Sequence, residues 1–404
     1  MSEFPEGFLW GAAVAAHQVD GGNTNTDWWQ WEHQPGTPCV EPSGDAIDQR
    51  SRYREDIALL GGLGLNAYRL SVEWARIEPS EGLVSRAELE RYRRVLGTIL
   101  ERGMTPFVTL HHFTSPSWFA AEGGWRSPRA LDLFSRYVEV TATALGDLMP
   151  LVGTINEPQM LALGGYLLAE FPPGLKDRDA AIEVSLTLTQ AHRRAVEVLR
   201  GAAPGAQVGP CLQLLPVYPH RDGDAGDEAA AAGLRWLVSD VHLDDLKAGG
   251  DVGDFVGVQY YTRAFVDAQR EGLLVRPDPA QVETTQMGWE VHPPSFAVAL
   301  QAAASVGLPV LVTENGIATG DDEQRRRYLH SHLSVLREQI VAGVDVRGYF
   351  CWSAFDNFEW AHGYAPRFGL IGIDRADNYR RVVHPAAYAY GAVARGGELA
   401  GLLT

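Results

Sequence analysis

From Phe8 to Trp352 the chain alternates short apolar runs of β type with amphipathic helical stretches. That alternation is the signature of a parallel sheet whose strands are joined by crossover helices. Eight runs stand out: Phe8–Ala12, Asn66–Ser71, Thr105–Leu110, Leu151–Ile155, Gln207–Gln213, Phe255–Gln259, Val310–Thr313 and Gly348–Trp352. Breaks such as Gly62-Leu63-Gly64 and Gly307-Leu308-Pro309 mark where a helix ends and the next strand begins. Between the runs, Tyr53, Ile57, Leu60 and Leu63 recur three or four residues apart, as do Leu89, Tyr92, Val95, Leu96 and Ile99. A helix that buries one stripe against a sheet requires that period. Eight such units predict an α/β fold, a (β/α)₈ TIM barrel, and 404 residues fit a single domain spanning 1–404 with elaborated βα loops. The stretches His220–Gly233, acidic and rich in Gly and Ala, and Arg270–Glu283 are predicted to be exposed loops or irregular excursions, because the periodicity resumes after each.

A formal net charge of −17 argues against a polyanionic partner, since every phosphate contact needs a cation to release a counterion; no nucleic-acid role is predicted. Met1–Trp10 lacks a basic region followed by an apolar one, and no stretch approaches about 18 consecutive apolar residues. Neither secretion nor membrane insertion is predicted, although a mature domain trimmed of a signal reads the same way. Cys39, Cys211 and Cys351 are far apart and lack the spacing of a zinc site or redox pair, so they are predicted to be reduced core thiols. These features point to a cytoplasmic enzyme that uses no metal and no cofactor.

In such a barrel, functional groups gather where strands end, so polar residues closing an apolar run are informative. The fourth run, Leu151–Ile155, leads into Asn156-Glu157-Pro158; the seventh, Val310–Thr313, into Glu314-Asn315-Gly316; the second contains Arg69. A carboxylate after several apolar residues is desolvated unless paired, and burying its charged form is costly. One such Glu can be tied to a helix or an Arg for structure alone; two at equivalent ends of opposite strands face each other across the barrel mouth. That arrangement suits a proton donor and an ionised nucleophile working on one glycosidic bond, with Arg69 holding Glu314 ionised and an apolar site raising the pKa of Glu157.

The motifs Thr154-Ile155-Asn156-Glu157-Pro158 and Val312-Thr313-Glu314-Asn315-Gly316 resemble the acid/base and nucleophile motifs of glycoside hydrolase family 1. The resemblance begins at Phe8-Leu9-Trp10-Gly11-Ala12-Ala13 and Gln18-Val19-Asp20-Gly21. It continues through Tyr53–Ile57 and Leu65–Arg69 to Trp352–Trp360 and Arg367-Phe368-Gly369. It implies a retaining, exo-acting β-glycosidase acting on a β-linked glycoside or oligosaccharide, chiefly a β-glucosidase with β-fucosidase and β-galactosidase side activity. By the same resemblance Glu157 is the acid/base, Glu314 the nucleophile and Asn156 the donor to the sugar 2-hydroxyl. Gln18, His112, Glu359 and Trp360 resemble the group that binds the outer hydroxyls. Trp352 resembles the stacking floor, with Phe368 in the same aromatic cluster, and Tyr261 the phenol that contacts the nucleophile. Bland alternatives stand beside these: Gln18 satisfying backbone groups only, His111 rather than His112 as the functional imidazole, and the aromatic residues as ordinary core.

Three departures bear on the site. Phe113 follows His112 where the family usually has Trp, Gln259 precedes the two tyrosines in place of Asn, and Asp20 replaces a frequent Glu. The chain is also short around residues 215–250, which predicts a more open aglycone side. Glu359 argues against 6-phosphoglycosides, because a carboxylate there repels the phosphate. Glu157 argues against a thioglucosidase, and the presence of both carboxylates against a catalytically silent sugar-binding barrel.

Overall fold

The structure, a computed structural model, describes residues 4–270 and 274–403. Eight parallel strands close into a ring: β1 (Leu9–Ala13), β2 (Ala67–Ser71), β3 (Thr105–His111), β4 (Leu151–Asn156), β5 (Gln207–Gln213), β6 (Val256–Tyr260), β7 (Val310–Asn315) and β8 (Val346–Trp352). Each pairs with its neighbours in chain order and β8 closes on β1, Leu9 opposite Gly348. The predicted runs coincide with these strands to within two residues at either end. The largest differences are at β7, which continues two residues further and takes Glu314 into the strand itself, and at β8, which starts two residues earlier.

The strands read as continuous apolar runs because both faces are covered. Outside the ring, the helix Gln49–Leu63 buries Ile57, Leu60 and Leu63, and the helix Arg86–Glu101 buries Tyr92, Val95, Leu96 and Ile99. The latter starts at Ser85, whose hydroxyl accepts from the Glu88 amide. Tyr53 and Leu89 are only half-buried, at the margins of their stripes. Inside the ring, Phe107, Leu151, Phe255, Leu311 and Phe350 form a plug that continues upward to Tyr261, Trp352 and Phe368. Phe350 fits only because position 11 is Gly: a Cβ there falls 2.3 Å from its ring.

Two expectations need correction. Most of His220–Gly233 is not loop, since Ala225–Arg235 is a helix. The Asp224 side chain accepts from the amides of Gly226 and Asp227, and this cap starts an alanine-rich segment whose propensity outweighs its glycines. Cys39 is not a core thiol: it is half-buried in the polar loop after β1, whereas Cys211 and Cys351 are buried, and all three are unpaired. In Arg270–Glu283, residues 271–273 lie outside the described residues; Leu274–Val275 adds a short strand to Ala264–Val266. Among the described residues no helix is long and apolar enough to cross a membrane.

Candidate active site

Both carboxylate-bearing strands are irregular just before their glutamates. Against β6, Val312 pairs with Val258 but Glu314 with Gln259; against β8, the register slips between Val312 and Asn315. On β4 it slips between Gly153 and Asn156. An extra residue in a strand re-aims the side chains that follow it, a device common beside active sites. Gly316 lets β7 leave the sheet under β8, since a Cβ would stand 1.7 Å from the Trp352 carbonyl oxygen. Glu157 occupies the corner between β4 and the short helix Pro158–Ala162 with φ 41° and ψ 59°. This left-handed conformation costs a residue with a Cβ about 1–3 kcal/mol. It is held by the Glu157 amide donating to the Cys211 carbonyl at 2.7 Å, and by the Met160 and Leu161 amides donating to the Glu157 carbonyl. Phe113 and Trp360 share positive φ, at 67° and 51°.

Arg69 is completely buried and ties its own strand, β2, to three others. Its Nη1 donates to Glu314 Oε1 at 2.5 Å and to the Thr313 carbonyl at 3.2 Å. Its Nη2 donates to Asn156 Oδ1 at 2.5 Å and its Nε to Thr109 Oγ1 at 3.1 Å. Tyr261 donates to Glu314 Oε2 at 2.6 Å, so both oxygens of Glu314 are engaged. No side chain among the described residues donates to the carboxyl of Glu157. Burial pushes both carboxyls up. On Glu314 the Arg69 guanidinium and the Tyr261 phenol pull back. On Glu157 burial is reinforced by the charges of Glu314 and Glu359, against Arg69 alone, and its pKa lies well above the usual carboxylate range. The sequence reading needs one adjustment here. Arg69 meets Glu314, but burial outweighs it, so Glu314 also titrates high and what the site sets is the order of the pair.

The sugar-binding candidates form a second group. Asn156 Oδ1 also accepts from Gln259 Nε2 at 2.7 Å; two donors converging there assign the amide orientation and leave Nδ2 unpartnered. Gln18 Nε2 donates to the Phe358 carbonyl at 2.8 Å, Asn357 Oδ1 at 3.1 Å and Glu359 Oε2 at 3.3 Å, while its Oε1 is buried without a partner. Glu359 is raised to about 8 by burial and by the charge of Glu314. The His112 ring runs nearly parallel to those of Trp352 and Trp360, 6.1 Å from each, and burial and Arg69 keep it neutral. His111 turns the other way, onto Ser115 and Trp125. Of the two imidazoles, His112 is therefore the one brought to this group. Phe368 stands 6.1 Å from Tyr261. Asp20 is engaged by Arg91 at 3.1 Å.

Two neighbours had drawn no site role from the sequence. Gln259, noted there only as a departure, grips Asn156; the one signal in the sequence was a polar residue closing the predicted run Phe255–Gln259. Trp289, 5.5 Å from Tyr261 and 6.3 Å from Phe368, lies in an irregular loop with no period to mark it.

A closed barrel whose mouth holds a differentiated carboxyl pair among aromatic rings and free amide groups defines a class, the barrel enzymes that work on sugars. The family follows from the chain as a whole. Residues 1–251 and 237–398 match Glycosyl hydrolase family 1, and the chain belongs to that family. It is 33% identical to β-glucosidase A of Thermotoga maritima, covering 99% of each chain. It is 32% identical to a bifunctional β-D-glucosidase/β-D-fucosidase of Bifidobacterium breve, over 92% of this chain and 94% of that one. A solved β-glycosidase from Pyrococcus horikoshii superimposes with a TM-score of 0.91 at 38% identity, over 98% and 96% of the two chains.

Proposed function

We propose that this chain is a retaining, exo-acting β-glycosidase, chiefly a β-glucosidase with β-fucosidase and β-galactosidase side activity. The observation that carries the reading is the contrast between Glu314, with both oxygens engaged by Arg69 and Tyr261, and Glu157, with neither engaged by a side chain among the described residues. Glu314 loses its proton first and attacks the anomeric carbon; Glu157 keeps its own and delivers it to the departing oxygen. Once Glu314 is esterified its charge is gone, and with it one cause of the raised pKa of Glu157. Glu157 then becomes a better base toward the water that releases the sugar.

Asn156 Nδ2 donates to the 2-hydroxyl, and Gln18, Glu359, Trp360 and His112 take the outer hydroxyls over the Trp352 face. Gln18 and Glu359 accept from an equatorial or an axial 4-hydroxyl, which admits both glucose and galactose. None of these steps requires a metal or cofactor. The chain acts as one domain, supported by Tyr390 of the last long helix donating to the Gly11 carbonyl of β1 at 2.8 Å. Three unpaired cysteines support a cytoplasmic location.

A 2-deoxy-2-fluoro-β-glucoside tests the reading. It should inactivate the enzyme with one equivalent bound, and peptide mass mapping should find the sugar on Glu314. Label on Glu157, or turnover without accumulation, overturns the assignment.

A further inference from the structure

Beside the catalytic mouth lies a cavity of about 850 Å³ where the loops after β1, β2, β3 and β4 meet. Neither Glu157 nor Glu314 lines it, nor do Trp352, Phe368 or Trp289. Phe113 is the shared wall: it lines the cavity and packs edge-on against Trp360 of the sugar-binding group at 5.1 Å.

The lining carries its own recognition chemistry. Trp31 and Trp118 are half-exposed there, and their indole N–H groups donate to the carbonyls of Glu170 and Glu78, which fixes both rings before any ligand arrives. Asp27 Oδ1 accepts from the amides of Trp28 and Ser115 at 2.8 and 2.9 Å, and the residue's own amide also favours the charged carboxylate. No other residue among those described donates to its Oδ2, and burial raises this carboxyl to about 7. Tyr166 is near enough to feel the Asp27 charge. Trp125 Nε1 is buried without a hydrogen-bond partner. The cavity thus offers pre-set aromatic rings, one free acceptor and one free donor, in a volume within the usual range for small-molecule sites. Buried polar atoms of this kind reject an apolar guest, which leaves them unpaired. Rings with C–H patches and hydroxyls at their edges satisfy both the indoles and the polar atoms.

We propose that this cavity is a second saccharide site. It takes a neutral pyranose ring against Trp31 and Trp118, with one hydroxyl donating to Asp27 Oδ2 and another oxygen accepting from Trp125 Nε1. The choice of a sugar rests on the glycosidase reading; the existence of the site does not. Calorimetric titration with thiocellobiose, whose sulfur linkage resists hydrolysis, should resolve two binding events per chain. Asp27→Asn, which keeps the Oδ1 acceptor, and Trp118→Ala should each weaken one event at least tenfold and leave the other unchanged. Hydrolysis of nitrophenyl β-glucoside by these variants should stay within about twofold of the parent, which reports an intact fold. A single event in the parent, two unaltered events in both variants, or binding of choline in preference to thiocellobiose overturns the proposal. Absence of hydrolysis by the parent enzyme refutes the glycosidase reading instead, and the two events are still counted.

Discussion

The C-terminal ends of β4 and β7 present the same side chain and give it opposite surroundings. Glu314 lies within the strand, with Arg69 on one oxygen and Tyr261 on the other. Glu157 lies one residue past its strand in a left-handed corner, and its carboxyl meets the charges of Glu314 and Glu359 with no side-chain donor among the described residues. Burial alone raises both carboxyls and does not separate them. The neighbours do, by stabilising the charged form at one site and opposing it at the other. On the proposed function, acid and nucleophile are told apart by these second partners, not by residue type.

Removing the engaged side of this comparison should have the largest effect. Glu314→Gly is expected to lower turnover by roughly 10⁵-fold, the scale of losing a covalent nucleophile. Added azide should restore cleavage of an activated aryl glucoside with an α-configured product, observed by proton NMR. Near-normal turnover without azide would erase the distinction between the two sites.

On the bare side, Glu157→Ala should cost about 10²–10⁴-fold on alkyl β-glucosides and far less on dinitrophenyl β-glucoside, whose leaving group needs no proton. Equal losses on both would make Glu157 a structural residue.

A finer change tests the donors. Activity should rise with pH as Glu314 ionises and fall as Glu157 loses its proton, giving a bell-shaped profile of kcat/KM. Tyr261 favours the charged form of Glu314, so Tyr261→Phe should move the acidic limb upward by about one pH unit, equivalent to one hydrogen bond of ~1.4 kcal/mol. A downward shift would contradict the role given to the phenol.

The smallest effect belongs to Gln259→Leu, which leaves Asn156 Oδ1 to Arg69 alone. The expected loss in kcat/KM is about fivefold, from ~1 kcal/mol of orientation. It should vanish on 2-deoxyglucosides, which offer Asn156 no hydroxyl.

The strands were legible because parallel strands buried on both faces are plain apolar runs, and both catalytic candidates because a Glu closing such a run is conspicuous. Other features depend on pairs of segments and leave no mark on one. The slips at β4 and β7 are properties of two strands in register, so Glu314 looked like the residue after β7 when it is inside it. The grip of Gln259 on Asn156 follows from that register. Ala225–Arg235 was hidden by glycines and acidic residues, although Asp224 ahead of an alanine run was a readable cap. Charge pairing between Arg69 and Glu314 was foreseeable, whereas the size of the opposing desolvation depends on how completely the barrel closes over them.

The claim that neighbours order the two protons is tested most directly by following the carboxyl carbons of Glu157 and Glu314 through a pH titration by carbon-13 NMR, in the parent enzyme and in Glu314→Gln. Glu314 should ionise first and Glu157 at clearly higher pH, and removing the Glu314 charge should bring Glu157 down. Ionisation of Glu157 before Glu314, or a Glu157 titration unmoved by Glu314→Gln, would contradict the account.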